Sequence, residues 1–276
     1  MPSLRKRHIL LFALTVLIAV CAVIAYIDTT IPTLSEVSIP VSGLDHRMTI
    51  LQVTDLHSAR FGTDQQQITR LLGQRRFDAV VMCGDMQNAP TADMQPALEL
   101  LDELQKRTTG TVVFVPGNHD GDAISEAFRA AGALQLGRDG ATYALPAGQD
   151  TVLFEAAGMN ASPDASTTAI DVIVSHAPLA PSQIGSQQPG EPTRLYLAGH
   201  THGGQIRLPF IGALLSPRPT STSAAFLPDL QGLFVCGLYE HNDAYINVSP
   251  GLGTYRIPVR FCDQARFDII DLVPAR

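Results

Sequence analysis

With 276 residues, 45% of them apolar and 16% charged, the chain can bury a sizeable core, and its composition excludes disorder. A formal net charge of -7 argues against a partner bound through a nucleic-acid backbone, which calls for a basic face, but leaves anionic substrates open because metal cations invert a local field. The four cysteines, Cys21, Cys83, Cys236 and Cys262, contain no Cys-x-x-Cys pair, which argues against a thiolate zinc site. Cys21 and Cys83 fall in apolar runs and read as small buried hydrophobes. A Cys236–Cys262 disulfide is left open, conditional on an extracytoplasmic location.

Residues 1–8 form a basic cap with Arg5-Lys6-Arg7, and an uncharged apolar run follows over 9–27. Nineteen helical residues rise about 28 Å, close to the ~30 Å hydrocarbon thickness of a bilayer. The run reads as a single transmembrane helix with the basic cap held in the cytoplasm and the rest of the chain outside it. A cleavable signal peptide is the competing reading: Val23-Ile24-Ala25 loosely resembles a cleavage site, but the run exceeds the usual apolar length. Residues 28–46, with Pro32, Pro40 and Gly43, read as a linker holding at most one edge strand, and one domain is expected over 47–276.

That domain opens with an apolar strand at 48–54, ending in Asp55-Leu56-His57. Helical periodicity over about 63–75 is followed by a buried strand at 78–83 that ends in Gly84-Asp85. A helix at about 92–106, a strand at 111–115 ending in Pro116-Gly117-Asn118-His119-Asp120, and a helix near 124–131 complete a β-α alternation, which implies α/β layering. Beyond Gly132, apolar runs at 152–156, 169–174, 194–198, 233–238 and 267–272 recur with little helix between them, and read as a second sheet packed on the first. The long connection 207–232 carries Leu208-Pro209-Phe210-Ile211, Leu214-Leu215 and Phe226-Leu227. Packing of these residues as a hairpin into the core is the favoured reading; contact with lipid is the other.

Polar residues cluster at strand ends: Asp55 and His57, Asp85, Asn118 and His119, His176 after Ile173-Val174-Ser175, and His200 with His202 in Gly199-His200-Thr201-His202-Gly203-Gly204-Gln205. Ligands of layered α/β folds gather beyond the carboxyl ends of strands. Each residue alone has an ordinary reading, Asp85 as a turn residue or His176 as a core histidine, but five such strand ends point to a metal site. Two carboxylates, an amide and four imidazoles exceed the needs of one four-coordinate ion and suit two ions if a carboxylate bridges. Nitrogen and oxygen donors without thiolate suit manganese, iron or zinc. Two such ions clamp a phosphoryl group and supply hydroxide near neutral pH. His119 could protonate the leaving oxygen, with Asp120 fixing its orientation.

The series Asp-x-His, Gly-Asp, Gly-Asn-His-Asp, His and Gly-His-x-His resembles that of the calcineurin-like metallophosphoesterase superfamily, in order and complete from about Met48 onward. The resemblance implies a four-layer αββα sandwich, two mixed sheets face to face with helices outside. It implies Asp55, His57 and His202 on one metal, Asn118, His176 and His200 on the other, Asp85 bridging, and His119 as general acid paired with Asp120. The Gly-His-Thr-His-Gly-Gly-Gln form, with Ser249-Pro250-Gly251-Leu252-Gly253-Thr254 and Pro258-Val259-Arg260-Phe261, is similar to bacterial membrane-associated phosphoesterases of the YkuE and YaeI type, some relatives of which cleave the pyrophosphate of UDP-2,3-diacylglucosamine. Relatives often carry an acidic residue at Asn88 and an arginine at Pro250; neither position is a ligand in the pattern, so the departures bear on substrate positioning. The expected partner is a phosphate ester, lipid-linked and nucleotide-linked forms included, with a phosphodiester or pyrophosphate bond as the target. The alternatives are a non-catalytic scaffold, which would be expected to have lost ligands, and a metal-storage protein.

Overall fold

A computed structural model describes residues 2–158, 168–188, 190–218 and 221–275; the termini of the expected ranges, Met1 and Arg276, lie outside the described residues. In chain order the elements are α1 (Pro2–Thr30), β1 (Thr33–Val41), β2 (Met48–Val53), α2 (Gln66–Leu72), β3 (Ala79–Met82), α3 (Gln95–Gln105), β4 (Val112–Phe114), α4 (Asp122–Ala130) and β5 (Leu134–Gln135). There follow β6 (Tyr143–Ala147), β7 (Asp150–Ala156), β8 (Thr168–Val174), β9 (Thr193–Ala198), β10 (Arg207–Leu208), β11 (Gly212–Ala213), β12 (Leu215–Arg218), β13 (Ser221–Phe226), β14 (Gly237–His241), β15 (Ala244–Val248) and β16 (Arg266–Pro274).

Two six-stranded mixed sheets result, ordered β1-β16-β2-β3-β4-β5 and β14-β15-β9-β8-β7-β6. Their strands carry apolar residues on both faces because both faces are covered, the usual state of largely parallel sheets. Between the sheets, Ile50, Val81, Val113 and Ile270 meet Val152, Phe154, Ile170, Val172, Leu195 and Leu197 in one core. The other face of the first sheet, with Leu51, Val53, Met82 and Phe114, packs against Ile68 and Leu72 of α2, Leu100 and Leu104 of α3, and Phe128 of α4. α3 starts where the Asp93 carboxylate accepts the Gln95 N–H at 2.9 Å, and Asp122 in the first turn of α4 complements the helix dipole.

The fourth layer is thin. Over the second sheet, Ile173, Tyr196 and Ile246 are covered by Ile184 and Phe234, which come from loops and short 3-10 turns. Two expectations need correction. The run 267–272 belongs to the first sheet: β16 lies between β1, parallel to it, and β2, antiparallel to it. A doubly buried strand has no alternation to say which sheet it joins. The run 233–238 is mostly loop, with Phe234 plugging the outer face and the strand beginning only at Gly237. The four cysteines are free; Cys236 lies against the Arg266 guanidinium (3.5 Å) and Cys262 is exposed.

Within α1, the stretch Arg5–Thr30 contains an 18-residue window with a mean hydropathy of 2.9 that lies outside the core, so the helix is long and apolar enough to cross a membrane. Its end is tied to the domain. The Asp28 carbonyl accepts the Ala265 N–H (2.8 Å), and Thr29 Oγ1 accepts the N–H of Arg260 (2.8 Å).

Truncation of Phe154, fully buried between the sheets, should cost about 3–5 kcal/mol through lost burial and a cavity. Denaturant titration of Phe154→Ala checks this, and a loss below about 1 kcal/mol would contradict the intersheet core.

Candidate metal centre

Five strands from both sheets deliver the site. Asp55 and His57 follow β2, Asp85 follows β3, Asn118 follows β4, His176 follows β8, and His200 and His202 follow β9. Five of these residues, Asp55, His57, Asp85, His200 and His202, hold φ between 48° and 67°, in the left-handed region that side chains other than glycine avoid. Such strain persists only where the surroundings enforce it, and it clusters at functional sites. The enforcement is visible in the hydrogen bonds. Asp55 N–H donates to the Gly84 carbonyl (2.9 Å) and His57 N–H to the Asp85 carbonyl (3.0 Å), locking the ends of β2 and β3 together. Asp55 Oδ2 accepts from Thr54 Oγ1 (2.7 Å) and from the His200 N–H (2.9 Å), which joins the first sheet to the second. Gly199 permits this approach, since a Cβ there would overlap Thr54 Oγ1 and the Asp55 carboxylate.

The side chains fall into two clusters, Asp55 with His57 and His202, and Asp85 with His176 and His200; within each, the donor atoms lie within 4.8 Å of one another. In the first, His57 Nε2 and His202 Nε2 are 3.1 Å apart, and Asp55 Oδ1 is 3.8 and 3.4 Å from them. In the second, His176 Nε2 lies 3.0 Å from His200 Nδ1 and 3.0 Å from Asn118 Oδ1. Asp85 Oδ2 stands between the clusters, 3.5 Å from His57 Nε2 and 3.2 Å from His176 Nε2. All seven residues read from the sequence as ligands therefore converge.

The protein groups alone demand positive charge here. Burial works to raise the Asp55 carboxyl, yet the imidazoles around it, His57 and His176 among them, hold it well below its ordinary value. Burial opposes charge on His176, but its contact with Asp85 and the Asp55 charge push it up to about 9. Burial drives His202 down to about 3 against the attraction of Asp55, leaving a neutral imidazole with a free lone pair. Asp55 Oδ1 is buried and has no hydrogen-bond partner among the described residues. An orphaned carboxylate oxygen among convergent imidazole nitrogens, with no thiolate in either cluster, fits a transition-metal ion or zinc.

The second sphere departs from expectation at two points. Asp120 does not bond the His119 imidazole: its Oδ2 accepts the Gly117 N–H (2.9 Å) and its Oδ1 the Gln87 N–H (2.9 Å). Backbone donors reach both oxygens, so Asp120 shapes the loop that carries Asn118 and His119. Tyr255, which sequence reasoning missed, lies against His119 (ring centroids 4.4 Å) and stacks on His57 (5.3 Å). Arg260 is the second omission. Quoted only as part of a motif, it is fully buried and donates to the carbonyls of Pro250 (2.6 Å), Gly253 (2.7 Å) and His202 (3.4 Å) and to Asp263 Oδ2 (3.1 Å). A sequence signal existed in principle: an arginine amid Pro258-Val259 and Phe261 in an acidic chain.

The calcineurin-like phosphoesterase family matches residues 48–204. An uncharacterized metallophosphoesterase of Bacillus subtilis, YkuE, is 27% identical over 89% of this chain and 85% of its own length. A Danio rerio transmembrane protein with a metallophosphoesterase domain is 26% identical over 88% of this chain, which spans 58% of that protein. An uncharacterized metallophosphoesterase of Helicobacter pylori is 27% identical over 88% of this chain and 64% of its own length. With the fold and the two clusters, the chain belongs to the calcineurin-like phosphoesterase family of metal-dependent phosphoester hydrolases.

Proposed function

We propose that this protein is a membrane-anchored, extracytoplasmic phosphoesterase that hydrolyses a phosphodiester or pyrophosphate bond with two bound ions of manganese, iron or zinc. The observation that carries this reading is the position of Asp85 Oδ2, within 3.5 Å of an imidazole nitrogen of each cluster, where one carboxylate can serve both. Asp55, His57 and His202 would hold one ion and Asn118, His176 and His200 the other. When bound, such a pair supplies Lewis acidity toward phosphoryl oxygens and lowers the pKa of water enough to furnish a hydroxide nucleophile.

The chain's own residues supply the rest. The His119 N–H donates to Asp85 Oδ1 (2.8 Å), which fixes that residue beside the shared carboxylate, and its ring lies 5.2 Å from that of His57. Burial lowers the pKa of its imidazole, against the pull of Asp85, so its protonated form is a stronger acid toward a departing oxygen. Asp120 contributes by holding Gly117 and Gln87, and through them the loop that carries Asn118 and His119. A groove of about 420 Å³ runs from His176 past Val115, Leu136, Arg138 and Ala156. It gives room for a second substituent on phosphorus, which favours a diester or pyrophosphate over a monoester. Arg5-Lys6-Arg7 ahead of the apolar helix supports the extracytoplasmic side.

Two predictions test this reading with bis-p-nitrophenyl phosphate and manganese. Removing a ligand, as His202→Ala or Asp85→Ala, should lower metal content and abolish hydrolysis, as should chelation of the wild type. Full turnover in metal-free protein would sink the proposal, and tightly bound metal without turnover would favour a scaffold or storage role. Replacing the proton donor, as His119→Gln, should leave metal content near normal and slow alkyl-phosphate substrates by about 10²–10⁴. Equal rates of variant and wild type on those poor leaving groups would remove His119 from the acid role.

A further inference from the structure

Outside α1, the exposed large apolar side chains among the described residues are confined to Ile31, at the helix exit, and to the segment between Phe210 and Val259. The hairpins β10–β11 and β12–β13 do form, and they bury Ala213, Ser216 and Ala225, but they leave Phe210 fully exposed, Leu230 largely so and Ile211 partly so. Packing of the 207–232 connection is therefore partial: Ala213, Ser216, Ala225 and Pro228 are buried and Leu208, Leu214 and Leu227 half-buried, while its other large apolar residues face outward. A ridge of large apolar side chains in water costs solubility unless something covers it.

What covers it is indicated by where α1 leaves the domain. Thr29 Oγ1 accepts the Arg260 N–H, Asp28 Oδ2 accepts the Asp263 N–H (3.3 Å), and Gln264 Nε2 donates to the Ile31 carbonyl (2.9 Å). The helix end is thus fastened to 260–265, directly after the exposed residues Arg256-Ile257-Pro258-Val259. The hairpin is stitched to the same segment. Phe261 N–H donates to the Gln205 carbonyl (2.8 Å) and Arg207 N–H to the Phe261 carbonyl (2.9 Å), while Gln205 Nε2 donates to the carbonyls of Ile257 (2.7 Å) and Val259 (3.2 Å). Helix exit, hairpin and Ile257 loop are thereby tied to one another. Arg256, exposed beside Ile257, adds a cation suited to anionic headgroups, and the Asp229 carboxylate nearby is neutralised by Arg207 (3.0 Å).

We propose that the ridge of Phe210–Ile211, Leu230 and Ile257–Val259 docks on the surface of the lipid bilayer that α1 enters. The inference rests on the reading of α1 as a membrane-spanning helix. Its consequence concerns substrate: Tyr255, two residues from Ile257, touches the rings of His57 and His119, and Arg260 bonds the His202 carbonyl. Docking therefore holds the metal centre at the headgroup level, where the phosphoester of an amphiphile is presented to it.

The chain contains no tryptophan, so single tryptophans report without background. The full-length variants Phe210→Trp, Ile257→Trp, Leu14→Trp in α1 and Lys106→Trp at the end of α3 are reconstituted in vesicles of phosphatidylcholine and phosphatidylglycerol, with and without brominated acyl chains. The expected result is loss of emission in brominated vesicles, with protection from aqueous iodide, for Leu14→Trp, Phe210→Trp and Ile257→Trp, and the reverse for Lys106→Trp. Quenching of Leu14→Trp alone, with iodide reaching residues 210 and 257, overturns the docking while leaving the anchor standing. Protection from both quenchers at 210 and 257 assigns the ridge to a protein contact and also overturns it. A Leu14→Trp variant untouched by brominated lipid removes the anchor, and the docking with it.

Discussion

Two carboxylates and four imidazoles, most of them out of water, point their lone pairs into one small volume, and the rest of the architecture is arranged to keep them there. Pairs of ring nitrogens 3.0 and 3.1 Å apart, flanking carboxylate oxygens, are costly in a low-dielectric site unless positive charge is shared among them. Some of that charge comes from His176, which Asp85 and Asp55 hold protonated beyond its usual range. Metal cations meet the demand more fully, which is the physical content of family membership for this chain.

Neither sheet could build this centre alone. The first supplies Asp55, His57, Asp85 and Asn118 and the second supplies His176, His200 and His202, so the intersheet core that sets their separation acts as the gauge of the site. The join is made by polar contacts in the same layer: His200 N–H to Asp55, His176 Nδ1 with the Cys83 carbonyl (2.8 Å), and Asn247 Nδ2 to Gln52 Oε1 (2.8 Å). Arg260 acts from the other side. Its buried guanidinium gathers the His202 loop and the Pro250–Gly253 turn, and that turn in turn donates Leu252 N–H and Gly253 N–H to the carbonyls of Thr54 and Asp55. A fully buried cation this close to the imidazoles helps keep His202 neutral.

The candidate ligands are legible in the sequence because each follows an apolar run at a strand end, a pattern that chemistry and topology both leave on the chain. The β-α alternation up to Ala131 was legible for the same reason: periodicity changes where burial changes. What escaped had no periodic mark. The placement of β16 in the first sheet depends on its pairing with β1 and β2, and a run such as Phe267-Asp268-Ile269-Ile270 carries no label for its neighbours. β15 is short and interrupted by Asn247, whose value lies in a partner 195 residues away. Tyr255 and Arg260 lie in loops, where function leaves no spacing to read. The pairing of His119 with Asp120 is implied by the family resemblance; what the sequence does not show is that two backbone N–H groups, of Gln87 and Gly117, also bond that carboxylate.

If one shared carboxylate organises two ions, as proposed, metal counting on the full-length protein shows it most directly. Elemental analysis of the detergent-purified chain, loaded with manganese and freed of excess, should give two ions per chain for wild type. Conversion of Asp85 to Ala should reduce occupancy at both positions, whereas His202→Ala should chiefly empty one. Two ions retained in the Asp85→Ala variant, or a single ion in fully active wild type, would contradict the account.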